Sequence, residues 1–216
     1  MKQFRMTQAI TAAFGAATMC AAAFAGPANL LSNAGFEDPF IPDGPPFTGN
    51  WEPFSGGAGS FSVQGSLTPR TGLAHLQLGI DNTDNTFAGA FQDVTGLISG
   101  DIGTFSGYHM TPSSPFDVGV EYRIEWRNST LNTEISRTPN STIAPGSSYS
   151  LFSLSAAVPA GADTARIVYA IQTFGGDGPT NTGQVFIDDA SFTVVPEPST
   201  LAMLALAAGF AAAKRR

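Results

Sequence analysis

One short segment constrains the fold of this chain more than any other. In residues 118–127 (VGVEYRIEWR), apolar side chains occupy every second position, and from Glu121 onward the positions between them are charged. A period of two places these two sets on opposite faces of a β-strand. We therefore expect one face to lie in a core. The other face, a ladder of alternating charges, is expected to be covered by solvent or by a neighbouring strand.

Similar runs recur along residues 30–195, and no amphipathic helical pattern in that range survives its glycines and prolines. Seven further runs are typical of strands separated by turns: 59–65, 73–78, 88–94, 103–110, 149–158, 165–173 and 184–195. In the run 88–94, Phe91 and Val94 are expected near the core. The sequence thus predicts an all-β domain over residues 26–194, a jelly-roll β-sandwich of about eight or nine strands with a long ordered loop at 38–50.

The N-terminus has the pattern of a secretory signal peptide. Lys2 and Arg5 precede an apolar stretch, and Ala23 and Ala25 form an A-x-A cleavage signal. We therefore expect residues 1–25 to be a signal-peptide helix that directs the chain to the Sec export machinery. The only cysteine, Cys20, lies within it, so the exported domain is expected to fold without disulfides.

The C-terminus forms a second separate unit, residues 195–216. Pro196, Glu197 and Pro198 are expected to end the folded region, because proline fixes φ and lacks a backbone donor. An uncharged apolar stretch, 200–213, then runs into the basic end Lys214, Arg215 and Arg216. This is a stop-transfer pattern, but a helix of ~21 Å is short for ~30 Å of hydrocarbon, so a permanent span is not expected. An apolar tail or a buried core helix is the alternative.

This ordered set of a Pro-Glu-Pro motif, an apolar helix and a basic end resembles the PEP-CTERM sorting signal. The resemblance implies recognition by an exosortase-type membrane protease after transient anchoring in the inner membrane. It also implies delivery to the cell surface or extracellular matrix of a Gram-negative bacterium that makes exopolysaccharide.

The charge distribution narrows the range of partners. All 17 acidic residues lie between Glu37 and Glu197, a range that holds five arginines and no lysine. Nucleic acid is therefore not expected as a partner, and anionic polysaccharides are disfavoured. Neutral glycans, divalent cations and cationic surfaces are favoured.

A second resemblance covers the middle of the chain. Residues 29–37 (NLLSNAGFE), Trp51, the Gly107-Tyr108 pair and residues 185–192 (VFIDDASF) are similar to carbohydrate-binding modules with a galactose-binding-like jelly roll. In that family the first and last strands approach each other and hold a structural calcium.

Carried over residue by residue, the calcium ligands would be the carbonyl of Gly35 and the carboxylates of Glu37 and of either Asp188 or Asp189. Such oxygen donors suit calcium. Two aspartates in an apolar strand also need a cation or a bulge, because one of them would otherwise face the core. Alternatively, Glu37 lies in a solvated turn and the Asp pair ends a hairpin.

For a sugar, the sequence offers three aromatic residues, Trp51, Tyr108 and Trp126, with Asn50, Gln92 and His109 as polar neighbours. Core packing is the alternative, above all for Trp126.

No GxSxG, HExxH, phosphate-loop or GxGxxG motif is present. The sequence thus favours an exported, non-catalytic surface or matrix protein associated with exopolysaccharide. A carbohydrate-binding module with a specific neutral glycan and a polysaccharide hydrolase with paired carboxylates remain alternatives.

Overall fold

The computed structural model describes residues 26–174 and 180–197, which contain ten β-strands and no helix. The strands are β1 (Glu52–Ser55), β2 (Ser60–Gly65), β3 (His75–Ile80), β4 (Phe87–Thr95), β5 (Ile102–Met110), β6 (Gly119–Asn128), β7 (Thr133–Arg137), β8 (Ser150–Ala157), β9 (Thr164–Gln172) and β10 (Gly183–Val195). Two predicted segments lie outside the described residues. They are the signal peptide, which includes Ala23 and Ala25, and the C-terminal segment, which includes Pro198, the apolar helix and Lys214, Arg215 and Arg216.

The strands form two antiparallel sheets of five strands each. Sheet 1 has the order β1-β4-β9-β6-β7, and sheet 2 the order β2-β3-β10-β5-β8. This confirms the predicted all-β sandwich, and each of the eight predicted runs is a strand. The edge strands β1 and β7 were not predicted from the sequence. β1 is short and contains Pro53, β7 is mostly exposed, and neither has an alternating apolar pattern.

The core between the sheets is rich in aromatic side chains. Tyr122 and Tyr169 of sheet 1 stack with ring centroids 5.9 Å apart, and Phe152 of sheet 2 lies 4.8 Å from Tyr122. The Tyr169 hydroxyl lies 2.7 Å from Nδ1 of His109, so two buried polar groups satisfy each other. The apolar face predicted for residues 118–127 is confirmed as buried: Val118, Val120, Tyr122, Ile124 and Trp126.

Gly103 in β5 makes room for two large core side chains. A Cβ at this position would lie 2.9 Å from the Phe192 ring and 3.0 Å from the Trp126 ring. The absence of a side chain at Gly103 therefore lets the Trp126 indole pack directly against the backbone of the opposite sheet.

The two ends of the described chain lie side by side. The Leu30 N–H donates to the Phe192 carbonyl at 2.8 Å, and the Ala190 N–H donates to the Ala34 carbonyl at 2.9 Å. β10 ends at Val195, immediately before Pro196, as the sequence predicts.

Candidate functional site

The outer face of sheet 1 carries the side chains that alternate with the core positions. Its rows across β4, β9 and β6 are Phe87–Gln172–Gly119, Gly89–Ala170–Glu121, Phe91–Val168–Arg123, Asp93–Arg166–Glu125 and Thr95–Thr164–Arg127. Towards β4 the face is aromatic, and towards β6 it is charged. Its centre is closed, since Val168 is only 2 % exposed.

Four half-buried phenylalanines form the aromatic side of this face: Phe47, Phe54, Phe87 and Phe91. The ring of Phe91 lies 5.3 Å from that of Phe47 and 6.2 Å from that of Phe54. This corrects the expectation that Phe91 lies near the core. In β4 the inward positions are taken by Ala88, Ala90, Gln92 and Val94. Because most of these are small or polar, the largest side chain of the strand indicates the wrong face.

The charged side of the face is the ladder predicted from residues 118–127, and its charges pair with one another. Arg123 donates to Glu125 at 2.8 Å and to Glu121 at 3.1 Å. On the neighbouring strand β7, Arg137 donates two hydrogen bonds of 2.6 Å to Glu134, which lower the pKa of that carboxyl. Arg137 also lies 3.6 Å from Glu125. A cross-strand partner therefore covers Glu125, while Glu121, Arg123 and Arg127 stay partly exposed to solvent, so each of the two predicted outcomes holds for part of the ladder.

Arg166 joins the aromatic and charged sides. Its Nε and Nη2 atoms donate to the two carboxylate oxygens of Asp93 at 2.7 and 2.9 Å. Its guanidinium carbon lies 4.0 Å from the ring centroid of Phe91 and 5.1 Å from that of Phe47. These contacts fix the positions of both Arg166 and Phe47, which belongs to the 38–50 loop.

A pocket of about 320 Å³ opens where this face meets the loops at the end of β4. One wall is apolar and comes from the loop before β1: Pro45, Pro46 and Phe47. The floor and the opposite wall are polar: Asp93, Thr95, Thr164, Arg166, Arg127, Asn128, Ser129 and Asn132. The Asp163 carboxylate holds this polar wall, because it accepts hydrogen bonds from the Ser129 N–H at 2.8 Å and the Ser129 hydroxyl at 2.7 Å. The volume is at the small end of ligand pockets.

The predicted calcium ligands lie elsewhere, around the loop that precedes β3. Glu37, which follows the turn containing Gly35, accepts hydrogen bonds from the N–H groups of Leu73 at 3.0 Å and Ala74 at 3.3 Å. Asp188 reaches the same loop from β10 and is fully buried. The structure therefore brings the predicted carboxylates to one loop, but there they bind backbone N–H groups.

A bulge in β10 resolves the conflict posed by two adjacent aspartates. The pairing of β10 with β5 shifts between Asp188 and Ser191, and Asp189 has a left-handed φ of 47°. Asp189 forms an ion pair with Arg70 and accepts a 2.6 Å hydrogen bond from the Thr71 hydroxyl. The extra residue keeps both carboxylates out of the core, which was the bulge alternative to a cation.

These residues do not fit a calcium site as the structure places them. The carboxylate oxygens of Glu37 and Asp188 face N–H donors, and Asp189 faces a guanidinium, which competes with a cation for the same lone pairs. Within residues 26–174 and 180–197, no three or more His, Cys, Asp or Glu side chains are grouped to hold a metal ion. The calcium stays a prediction from the family resemblance.

The predicted sugar-binding aromatics are not brought together. Trp51 is 1 % exposed, packs 5.0 Å from Phe36 and donates its indole N–H to the Asn33 carbonyl at 3.1 Å. Trp126 is 3 % exposed. The glycan prediction is therefore wrong for both tryptophans, because their ring faces are occupied by the core. The half-buried ring of Tyr108 lies on sheet 2 with the Arg70 guanidinium carbon 3.4 Å from its centroid. The suggested neighbours Gln92 and His109 are buried as well.

Sequence reasoning identified the charged half of the outer face but missed the pocket beside it. The alternation in residues 118–127 shows that Arg127 points outward, but it does not show which loop lies opposite. The proline-rich loop that supplies Phe47 comes from a distant part of the sequence. Its contact with Arg166 is a property of the fold.

Comparison with known proteins bears first on the end of the chain, where Pro196 and Glu197 follow β10. Residues 194–216 match the PEP-CTERM protein-sorting motif. This confirms the prediction made from the Pro-Glu-Pro sequence and the basic end. The PEP-CTERM motif implies processing by an exosortase, export and sorting to the cell surface. Among the described residues, no helix is long and apolar enough to cross a membrane. No curated protein sequence matches this chain.

Solved structures with the same fold include carbohydrate-binding modules. The CBM22-1–CBM22-2 tandem domain of Paenibacillus barcinonensis Xyn10C aligns with a TM-score of 0.55 and 14 % identity over 82 % of this chain and 49 % of its own. A structure described as "CBM4 structure and function" aligns with a TM-score of 0.51 and 17 % identity over 76 % of this chain and 99 % of its own. At these identities the likeness shows the β-sandwich fold alone.

Part of one enzyme chain has a similar fold. The enzymatically active domain of tailspike protein 4 from bacteriophage CBA120 aligns with a TM-score of 0.59 and 16 % identity over 77 % of this chain. The alignment spans about a fifth, 21 %, of the tailspike chain. The activity of the tailspike therefore carries no conclusion about this protein.

Proposed function

We propose that this chain is an exported surface protein that binds carbohydrate, without catalysis, in the pocket on the outer face of sheet 1. The observation that carries the proposal is the composition of that pocket, in which Pro45, Pro46 and Phe47 face Arg127, Ser129 and Asn132. The PEP-CTERM motif supports a role at the cell surface, since it implies export and delivery to that site.

An apolar wall opposite a polar wall suits a pyranose. The C–H face of a sugar ring packs on an aromatic ring or a proline, while its hydroxyl groups need donors and acceptors. Phe47 is held in place by its contacts with Phe91 and Arg166, so the wall is formed before a ligand arrives. A wall that needs no ordering lowers the entropic cost of binding.

The pocket does not support the hydrolase alternative. Its carboxylate, Asp93, has both oxygens engaged by Arg166 at 2.7 and 2.9 Å. Asp93 is also the only carboxylate among the described residues that line the pocket. Glycoside hydrolysis needs two such groups on either side of the scissile bond.

The proposal extends to where the protein works. An exosortase-type membrane protease would recognise residues 194–216 during transient inner-membrane anchoring that follows Sec-dependent export. Release would place the sandwich at the surface or in the extracellular matrix of a Gram-negative bacterium. Its ligand there would be the exopolysaccharide of that matrix.

A glycan array probed with the exported protein tests the binding proposal, followed by titration calorimetry on the best ligand. Phe47→Ala, which removes the apolar wall, is expected to weaken binding at least about tenfold. Phe87→Ala is the matched control, since Phe87 is also a half-buried phenylalanine of this face but does not line the pocket. Equal losses in both variants, or no binding to any glycan, would overturn the assignment of the site.

A further inference from the structure

The five arginines of the described residues are not equivalent. Arg70 and Asp189 form an ion pair, Arg123 donates to Glu121 and Glu125, Arg137 donates twice to Glu134, and Arg166 donates twice to Asp93. Arg127 differs from them. Within residues 26–174 and 180–197, its side chain donates no hydrogen bond to a carboxylate.

The nearest carboxylate of Arg127 already serves other arginines. Arg127 Nη1 lies 4.0 Å from Glu125 Oε2, beyond hydrogen-bond distance. The same Glu125 accepts from Arg123 at 2.8 Å and lies 3.6 Å from Arg137. One carboxylate is thus shared by three guanidinium groups, and Arg127 has the weakest share.

Arg127 is also the arginine whose surroundings leave room for a ligand. It lines the 320 Å³ pocket, and its side chain is 19 % exposed. The second arginine of the pocket, Arg166, already forms a bidentate pair with Asp93. The pocket therefore holds two guanidinium groups and one carboxylate, within a chain of formal net charge −7.

We infer that this pocket selects a glycan that carries a uronic acid, with the sugar carboxylate bound by Arg127. A guanidinium offers a planar fork of donors that matches a carboxylate in a bidentate pair. A uronic acid bears its carboxylate on the same ring whose apolar face packs on a wall such as that of Phe47. The inference rests on the proposed function, and it departs from the expectation, drawn from net charge, that anionic polysaccharides are disfavoured. Four of the five arginines lie on this face, beside five carboxylates: Glu52, Asp93, Glu121, Glu125 and Glu134. The charges of the face therefore nearly balance, whereas the chain as a whole is acidic.

The test compares acidic oligosaccharides with their own neutral counterparts. Oligoglucuronides and oligogalacturonides are titrated into the exported full chain before and after reduction of their carboxyl groups. We expect the acidic form to bind about tenfold more tightly than the reduced form, with a preference that shrinks as salt is added. A sulfated neutral oligosaccharide is the third ligand, and a preference for it equal to that for the uronate would overturn the carboxylate assignment.

Two substitutions locate the effect. Arg127→Gln is expected to abolish the tenfold preference, because it should weaken binding of the acidic oligosaccharide about tenfold more than binding of the reduced one. Arg127→Lys is expected to restore part of the preference. Arg137→Gln is the control, because Arg137 lies on the same face but outside the pocket. Thermal unfolding of each variant shows whether it is folded. If Arg127→Gln weakens both ligands equally, the inference is wrong.

The two proposals fail in different ways. Binding of reduced and acidic forms with equal affinity would overturn the uronate inference and leave the carbohydrate site intact. Binding of neither form, nor of any other glycan, would overturn both.

Discussion

Asp188 and Thr71 tie together two parts of the chain that lie 117 residues apart. The Asp188 Oδ2 atom accepts the Thr71 N–H at 3.1 Å and the Arg70 N–H at 2.8 Å, and its Oδ1 accepts the Asp189 N–H at 2.7 Å. Burial raises the pKa of Asp188, while these three donors oppose the rise. This carboxylate therefore fixes the loop before β3 on the outer side of sheet 2.

Replacing Asp188 by Asn is expected to lower the free energy of unfolding by about 1–3 kcal/mol. An amide offers one acceptor oxygen where the carboxylate offers two, so at least one of these part-buried N–H groups loses its partner. Urea unfolding followed by tryptophan fluorescence measures the change. Asp189→Asn is the matched control and should cost less, because its ion pair with Arg70 is partly exposed. A larger loss for Asp189→Asn would contradict this account of the loop.

Glu37 gives a direct test of the calcium prediction. In the structure its carboxylate accepts the N–H groups of Leu73 and Ala74, so Glu37→Ala is expected to lower the free energy of unfolding by about 1–3 kcal/mol in the presence of a chelator. Thermal unfolding of wild type and variant, with chelator and with calcium, separates the two possibilities. If Glu37→Ala is harmless in chelator and harmful only with calcium, the partner of this carboxylate is the metal.

An alternating pattern predicts the buried face of a strand only where the inward side chains are large and apolar. Residues 118–127 gave the strand, its buried face and its charged face, because large apolar and charged side chains alternate there without exception after Gly119. In β4 the same reasoning placed Phe91 in the core, because the true inward residues are small or polar. The sequence pattern also placed Glu37 and Asp188 near each other, through the family resemblance. It could not show that backbone N–H groups of the loop before β3 would meet them.

The buried side chain of His75 predicts a pH dependence of stability. It is fully buried, and neither ring nitrogen has a hydrogen-bond partner among the described residues. Burial lowers the pKa of His75 from 6.5 to about 4, and that of His109 likewise. The unfolded chain therefore binds more protons than the folded one between these values. Stability should be fully present above pH 6.5 and should fall as the pH drops towards 4.

His75→Leu is expected to weaken this dependence by about half, since His109 remains. At pH 7 the variant should be as stable as the wild type or more stable, because two unsatisfied buried nitrogens are removed. Chemical unfolding at several values between pH 7 and pH 5 measures both effects. A variant that keeps the full slope would show that His75 is solvated or paired in the folded protein.

The position of Trp51 predicts that stability and glycan binding separate. Its indole is enclosed by the core beside Phe36 and donates its N–H to the Asn33 carbonyl, so the ring face is not exposed to stack on a sugar. Trp51→Phe should therefore lower the free energy of unfolding by about 1–3 kcal/mol through lost volume and one lost hydrogen bond, and glycan affinity of the folded fraction should not change. Phe47→Ala should show the reverse pattern, with weaker glycan binding and a smaller loss of stability, because Phe47 is only half-buried at the pocket wall. Urea unfolding measures the stability of both variants, and calorimetry measures their glycan affinity. If Trp51→Phe weakens glycan binding although Phe47 is unchanged in that variant, the binding site is not the pocket on sheet 1.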